Sequence, residues 1–126
     1  MKKIINTPNA PAPIGPYNQA VLTGNTLYIS GQIPINPATG ELIEGDIKLE
    51  TKQSMENLKA ILTEAGMTFE NVVKSSIFIK DMHQFAAINE VYAVYFNGET
   101  APARETVEVA NLPKFVNVEI SMIAIK

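Results

Sequence analysis

The chain of 126 residues contains no cysteine. Disulfides, thiolate metal sites and a cysteine nucleophile are therefore excluded within it. A single histidine, His83, cannot build a multi-histidine metal site in one subunit, and no nucleophile-elbow sequence accompanies it for a Ser-His-Asp relay. Charge of one sign is nowhere concentrated. Ten basic residues stand against thirteen acidic ones, a net charge of −3, which argues against a nucleic-acid binder working by phosphate neutralisation. No apolar run approaches the roughly 20 residues of a membrane-spanning helix. Lys2 and Lys3 have no long apolar segment behind them, so the expected compartment is the cytoplasm.

What is present is ordinary for a globular protein: 46% hydrophobic and 18% charged residues, in a length that fits one domain over residues 1–126. Residues 7–16, TPNAPAPIGP, hold four prolines and a glycine and read as an arm or loop. Tyr17–Leu22 and Thr26–Ser30 flank Thr23-Gly24-Asn25 as a hairpin, and Gln32–Ile35 reads as a short edge strand. From Ile47 the period becomes helical. Met55, Leu58, Ile61, Leu62 and Ala65 share a face, and Gly66 is placed to end the helix. Val72–Lys80 is rich in β-branched residues and reads as a strand. Asp81 is a candidate N-cap for a second helix with the stripe Phe85, Ile88, Val91, Tyr92, Tyr95 and Phe96, stopped by Asn97-Gly98. Strands at 103–110 and 115–125 follow, joined at Asn111–Lys114.

The order ββ(β)αβαββ predicts an α+β fold, a mixed sheet with two helices on one face. In the last strand Val116, Val118, Ile120, Met122 and Ala124 form an apolar face to pack under helices. The opposite face, Asn117, Glu119, Ser121, Ile123 and Ile125, is mixed, which suggests that another subunit covers it.

Arg104 opens the strand that begins at 103. If that strand turns back near Leu112 as an antiparallel hairpin, Val107 and Val109 join the apolar face of the last strand. Arg104, Thr106 and Glu108 then share the mixed face with Glu119. A guanidinium fork beside a carboxylate can hold an anion and manage a water. The pattern alone equally allows a plain cross-strand ion pair, a commonplace arrangement that contributes little when exposed. Tyr17 after Gly15-Pro16, the Ser30-Gly31 turn and Asn89 beside the helical stripe each have a purely structural alternative. Glu108 reads as an interface partner, and His83 as an exposed residue without a role.

The segments NAPAPIGPYNQA (9–20), ISGQIPINPATGE (29–41), KDMHQF (80–85), NEVYAVYF (89–96) and APARETVEVANLPK with VNVEI (101–120) together resemble the RidA (YjgF-type) family of reactive-intermediate deaminases. The resemblance spans essentially the whole chain. It implies a chorismate-mutase-like fold, related to the ferredoxin-like one, and a homotrimer whose sheets form a central barrel. Active sites would lie in clefts between subunits. It further implies hydrolysis of enamines and imines such as 2-aminoacrylate to 2-keto acids and ammonia, with no cofactor, metal, nucleic acid or membrane. The family's carboxylate-binding arginine falls on Arg104 and its water-activating glutamate on Glu119. Tyr17, Ser30, Gly31 and Asn89 match its pocket residues, and Thr106 stands where the family often has cysteine. Relatives linked to regulation, to chaperone-like protection or to RNA cleavage leave those alternatives open.

Overall fold

The computed structural model describes residues 1–126. Helix α1 (Ile47–Glu64) begins where the Asp46 carboxylate accepts hydrogen bonds from the backbone N–H of Lys48 (2.9 Å) and Leu49 (3.3 Å). Its end is set by Gly66, whose φ of 74° suits a residue without a side chain. Met55, Leu58, Ile61 and Leu62 are fully buried. Each such burial contributes about 1.5–3 kcal/mol relative to exposure. Helix α2 (Phe85–Ala93) is shorter than its apolar stripe. Asp81 caps a single 3-10 turn at Met82–Gln84, and α2 starts after it. Tyr95 and Phe96 lie past the helix end and still pack on the core.

One sheet holds β1 (Lys2–Ile5), β2 (Ala20–Thr23), β3 (Thr26–Gln32), β4 (Val72–Ile79), β5 (Ala103–Glu108) and β6 (Val118–Ile125). Their spatial order is β1-β2-β3-β6-β4-β5. Only β4 and β5 run parallel; every other neighbour is antiparallel. Leu27, Ile29, Ile77, Ile79, Val118, Ile120 and Met122 meet α1 and the α2 residues Ile88 and Tyr92 in one core cluster. Both helices therefore cover the same face, as the sequence predicts. No helix is long and apolar enough to cross a membrane.

The predicted hairpin between β5 and β6 does not form. β5 lies at the sheet edge beside β4, and β6 inserts between β3 and β4. The cause is apolar content. Val118, Ile120, Met122 and Ala124 are at most 2% exposed, which suits a central strand, whereas β5 (ARETVE) has little to bury and takes the edge. The linking segment passes through a turn at Pro113–Phe115, with Lys114 and Phe115 at φ of 55° and 57°. Two smaller departures concern pairing. The N-terminal β1 was not foreseen, and of Gln32–Ile35 only Gln32 belongs to a strand, Ile35 making an isolated bridge to Leu42.

This topology reassigns the faces. Ser75 pairs with Arg104, and Ile77 pairs with both Thr106 and Ile120, so Arg104 and Thr106 lie on the helix-covered side. Phe78 pairs with both Val107 and Glu119, which puts Glu119 on the side without helices. The predicted shared face of Arg104 and Glu119 is therefore corrected: one chain holds them on opposite faces of the sheet. The helix-free face also exposes Ile4, Tyr28, Val107 and Ile125.

Candidate active site

Arg104 is the only arginine in the chain. It is half-buried between the first residues of β5 and the flank of α2. Its Nη1 donates to Asn89 Oδ1 at 2.7 Å, and its guanidinium carbon lies over the rings of Tyr92 (5.0 Å) and Phe85 (5.7 Å). No carboxylate pairs with it. Glu105, next in sequence, points to the other face and pairs with Lys74 at 2.8 Å, a contact that holds its carboxyl below the usual range together with the Ser76 hydroxyl. Glu108 accepts from the Met82 backbone N–H at 2.7 Å. On the same side as Arg104, the Thr106 hydroxyl is buried without a hydrogen-bond partner. A half-buried cation short of a counter-ion, beside an unpaired hydroxyl, has the chemistry to receive a small anion with polar neighbours.

A second group lies on the other side of the sheet, at the end of β3. The register of β3 against β6 slips between Ile29 and Gln32, so Ser30-Gly31 forms a bulge. Bulges re-aim side chains and tolerate close backbone approach. At Gly31 the approach is that of Glu119. A Cβ there would stand 2.7 Å from Glu119 Cδ and 3.0 Å from Oε2. Glu119 is half-buried and makes neither a hydrogen bond nor an ion pair, and burial pushes its carboxyl pKa up. A carboxyl shifted in that direction exchanges protons closer to neutral pH.

The Ser30 hydroxyl donates to the Asn18 carbonyl (2.7 Å), and its backbone N–H donates to the Gln19 carbonyl (2.9 Å). These bonds bring the segment carrying Tyr17 against the bulge. Tyr17 is 46% exposed and shares a small cavity of about 20 Å³ with Pro11, Ile14, Gly31 and Ile33. Gln19 fixes the whole proline-rich arm. Its Oε1 accepts from Thr7 N–H (2.7 Å) and its Nε2 donates to the carbonyls of Thr7, Ala10 and Pro11 (3.0, 3.2 and 2.9 Å).

Within one chain, then, Arg104, Asn89 and Thr106 come together, and so do Tyr17, Ser30, Gly31 and Glu119. The two groups do not meet. Across the sheet β5 and β6 are two strand spacings apart, roughly 10 Å, before the change of face is counted. Sequence reasoning missed the ring of Tyr92, its anchor Ser75 and the clasp Gln19; the spacing of 85, 89 and 92 was the available signal for the first. No group of three His, Cys, Asp or Glu side chains is arranged to hold a metal ion. His83 pairs with Asp81 at 2.8 Å on the surface. The largest groove, about 550 Å³, runs elsewhere, along α1 beside Asn9 and Asn36. Its polar groups Gln53, Asn57 and Glu56 are engaged with protein partners.

An alternating sheet under two helices, with a lone arginine on one side and a carboxyl against a glycine bulge on the other, defines the class as a compact α+β protein with two candidate half-sites. The chain belongs to the RidA (YjgF-type) family. A family model described as Endoribonuclease L-PSP matches residues 7–126. A RutC family protein of Pyrococcus horikoshii is 57% identical over 126 residues, covering 100% of this chain and 99% of the relative. The 2-iminobutanoate/2-iminopropanoate deaminase of Escherichia coli K12 is 48% identical over 128 residues, covering 100% and 99%. The crystal structure of a Rid family protein, YyfA from Yersinia pestis, superposes with a TM-score of 0.97 at 49% identity, over 100% of both chains.

Proposed function

We propose that this chain is an imine/enamine deaminase that hydrolyses small 2-imino acids to 2-keto acids and ammonia. The observation that carries the reading is Arg104, a half-buried guanidinium with one side-chain partner, Asn89, and no carboxylate. The E. coli relative named as a 2-iminobutanoate/2-iminopropanoate deaminase supports the same chemistry. We further propose a homotrimer, because a second copy is needed to set Arg104 of one chain beside Glu119 of another. The apolar residues of the helix-free face, Ile4, Tyr28, Val107 and Ile125, supply surface for that association.

In the assembled cleft Arg104 holds the substrate carboxylate by a bidentate pair, and Asn89 keeps the fork in place. The unpaired Thr106 hydroxyl bonds the same end of the substrate. Glu119 takes a proton from a water as its oxygen adds to the iminium carbon, breaking the C=N π bond. The resulting carbinolamine receives that proton on nitrogen. Glu119 then takes the hydroxyl proton as the C=O π bond forms and the C–N bond breaks, so ammonia leaves with the 2-keto acid behind. Tyr17 and Ser30-Gly31 close the pocket around the reacting carbon. The iminium is already electrophilic, so orientation and proton transfer are what the protein adds.

An RNA-cleaving reading has weaker support. The net charge is −3, and the only histidine is exposed and paired with Asp81. The deciding experiment generates 2-aminoacrylate with a serine or threonine dehydratase and follows pyruvate. Acceleration above the spontaneous rate supports deamination. Binding of pyruvate without acceleration would leave a carboxylate sensor instead.

A further inference from the structure

Helix α2 presents Phe85, Asn89 and Tyr92 at i, i+4 and i+7, one stripe along its length. All three meet the same group, the Arg104 guanidinium. A fork that pairs a carboxylate through two parallel hydrogen bonds works only if its plane is held correctly. The bond from Nη1 to Asn89 fixes one nitrogen and leaves the plane free to swing about it. A ring face against the cation removes that freedom.

Of the two rings, Tyr92 is the nearer and the better fixed. It is 5% exposed, and its hydroxyl donates to Ser75 Oγ at 2.9 Å. Ser75 is fully buried and stands opposite Arg104 in the β4–β5 pairing. The anchor of the ring and the backbone of the arginine thus stand at facing positions of two paired strands. Phe85 has no such tie and is 38% exposed.

We infer that Tyr92 is a positioning residue: its ring, anchored through Ser75, sets the plane of the Arg104 guanidinium before any ligand arrives. Its consequence for catalysis rests on Arg104 receiving the substrate carboxylate, whereas the preset plane does not depend on that reading.

Because Arg104 is the only arginine, its guanidinium nitrogen signals need no assignment. Rotation about the Cζ–Nε bond is measured by NMR on the ligand-free protein, in the wild type and in Tyr92→Phe, Tyr92→Leu and Tyr92→Met. Slow rotation is expected in the wild type, and a smaller acceleration in Tyr92→Phe, which keeps the ring but loses the tie to Ser75. Rotation at least about tenfold faster is expected in the Leu and Met variants. Two replacements guard against one failing to fold. Free rotation in the wild type, or rotation as slow in the folded Leu or Met variant, overturns the inference. Imine turnover in the same samples separates the two readings. A guanidinium freed by Tyr92→Leu in a protein without imine hydrolysis leaves the positioning role standing and removes the deaminase. Where hydrolysis occurs, Tyr92→Leu should raise KM about tenfold with less change in kcat, and Tyr92→Phe, which keeps the ring without its anchor, should raise KM less.

Discussion

Gly31 and Glu119 are in contact at a distance that no side chain at position 31 can share. A Cβ there would lie 2.7 Å from Glu119 Cδ and 2.9 Å from Cγ, well inside normal packing. Gly31 is not in the left-handed region, so alanine would bring no backbone strain. The carboxyl would simply have to turn away. Gly31→Ala should therefore lower kcat for imine hydrolysis by at least about tenfold through misplacement. Its thermal melt should move by no more than about 1 kcal/mol equivalent. Full turnover in this variant would detach the Gly31–Glu119 contact from the chemistry.

Glu119→Gln separates stability from catalysis. Burial raises the Glu119 pKa above its ordinary 4.5, so ionisation is disfavoured in the folded chain. The protonated carboxyl costs nothing below the unfolded value, and stability is lost as pH rises through the folded one. Glutamine cannot ionise. Where no Arg104 of a second copy offsets that burial, the variant should melt higher than the wild type at neutral pH and match it near pH 4, while turnover falls by about a hundredfold or more. A lower melting temperature at pH 7 would contradict the assigned shift.

Arg104→Lys keeps the charge and loses the fork. If Arg104 clamps a carboxylate, kcat/KM for 2-iminopropionate should fall about ten- to a hundredfold, and further in Arg104→Ala. The melting temperature should change by no more than about 1–2 kcal/mol equivalent, since Arg104 has no ion pair to lose, only the Asn89 hydrogen bond and its ring contacts. Near-wild-type kinetics in the lysine variant would return Arg104 to an ordinary surface charge.

Complementation tests the shared cleft. Arg104→Ala spoils one group and Glu119→Gln the other. If a complete site takes one group from each of two copies, refolding the two inactive variants together should restore about a quarter of the sites in a random trimer. Light scattering on the same sample should report a trimer. A mixture as inactive as its parts, or a monomer, would refute the intersubunit site.

Helix α1 could be read from sequence because local signals agree: Asp46 before it, the spacing of Met55, Leu58 and Ile61 within it, and Gly66 after it. The position of β5 could not. Alternation shows that residues 104, 106 and 108 share a side, but not which strand lies next to them. That was settled by competition for central places in the sheet, where the apolar face of β6 prevailed over β5. The fit of Gly31 was hidden for a related reason. What demands a glycine there is Glu119, far along the chain, brought close by a bulge that leaves no local pattern. Asn89 and Tyr92 were visible as polar and apolar members of one helix, and their common target appeared only when α2 was laid over β5.

The Gln19 clasp has a kinetic consequence. The arm at residues 7–16 contains no helix or strand, and such segments normally exchange their amide hydrogens at nearly the rate of an unfolded chain. Here the Thr7 N–H is bonded to a buried side chain rooted at the start of β2. It can meet solvent only when that glutamine leaves the interior, an opening that also disturbs the β2–β3 pairing. The Thr7 hydrogen should thus persist in deuterium oxide as long as those of the hairpin beside it, so that an irregular loop opens as part of the same cooperative unit as the sheet.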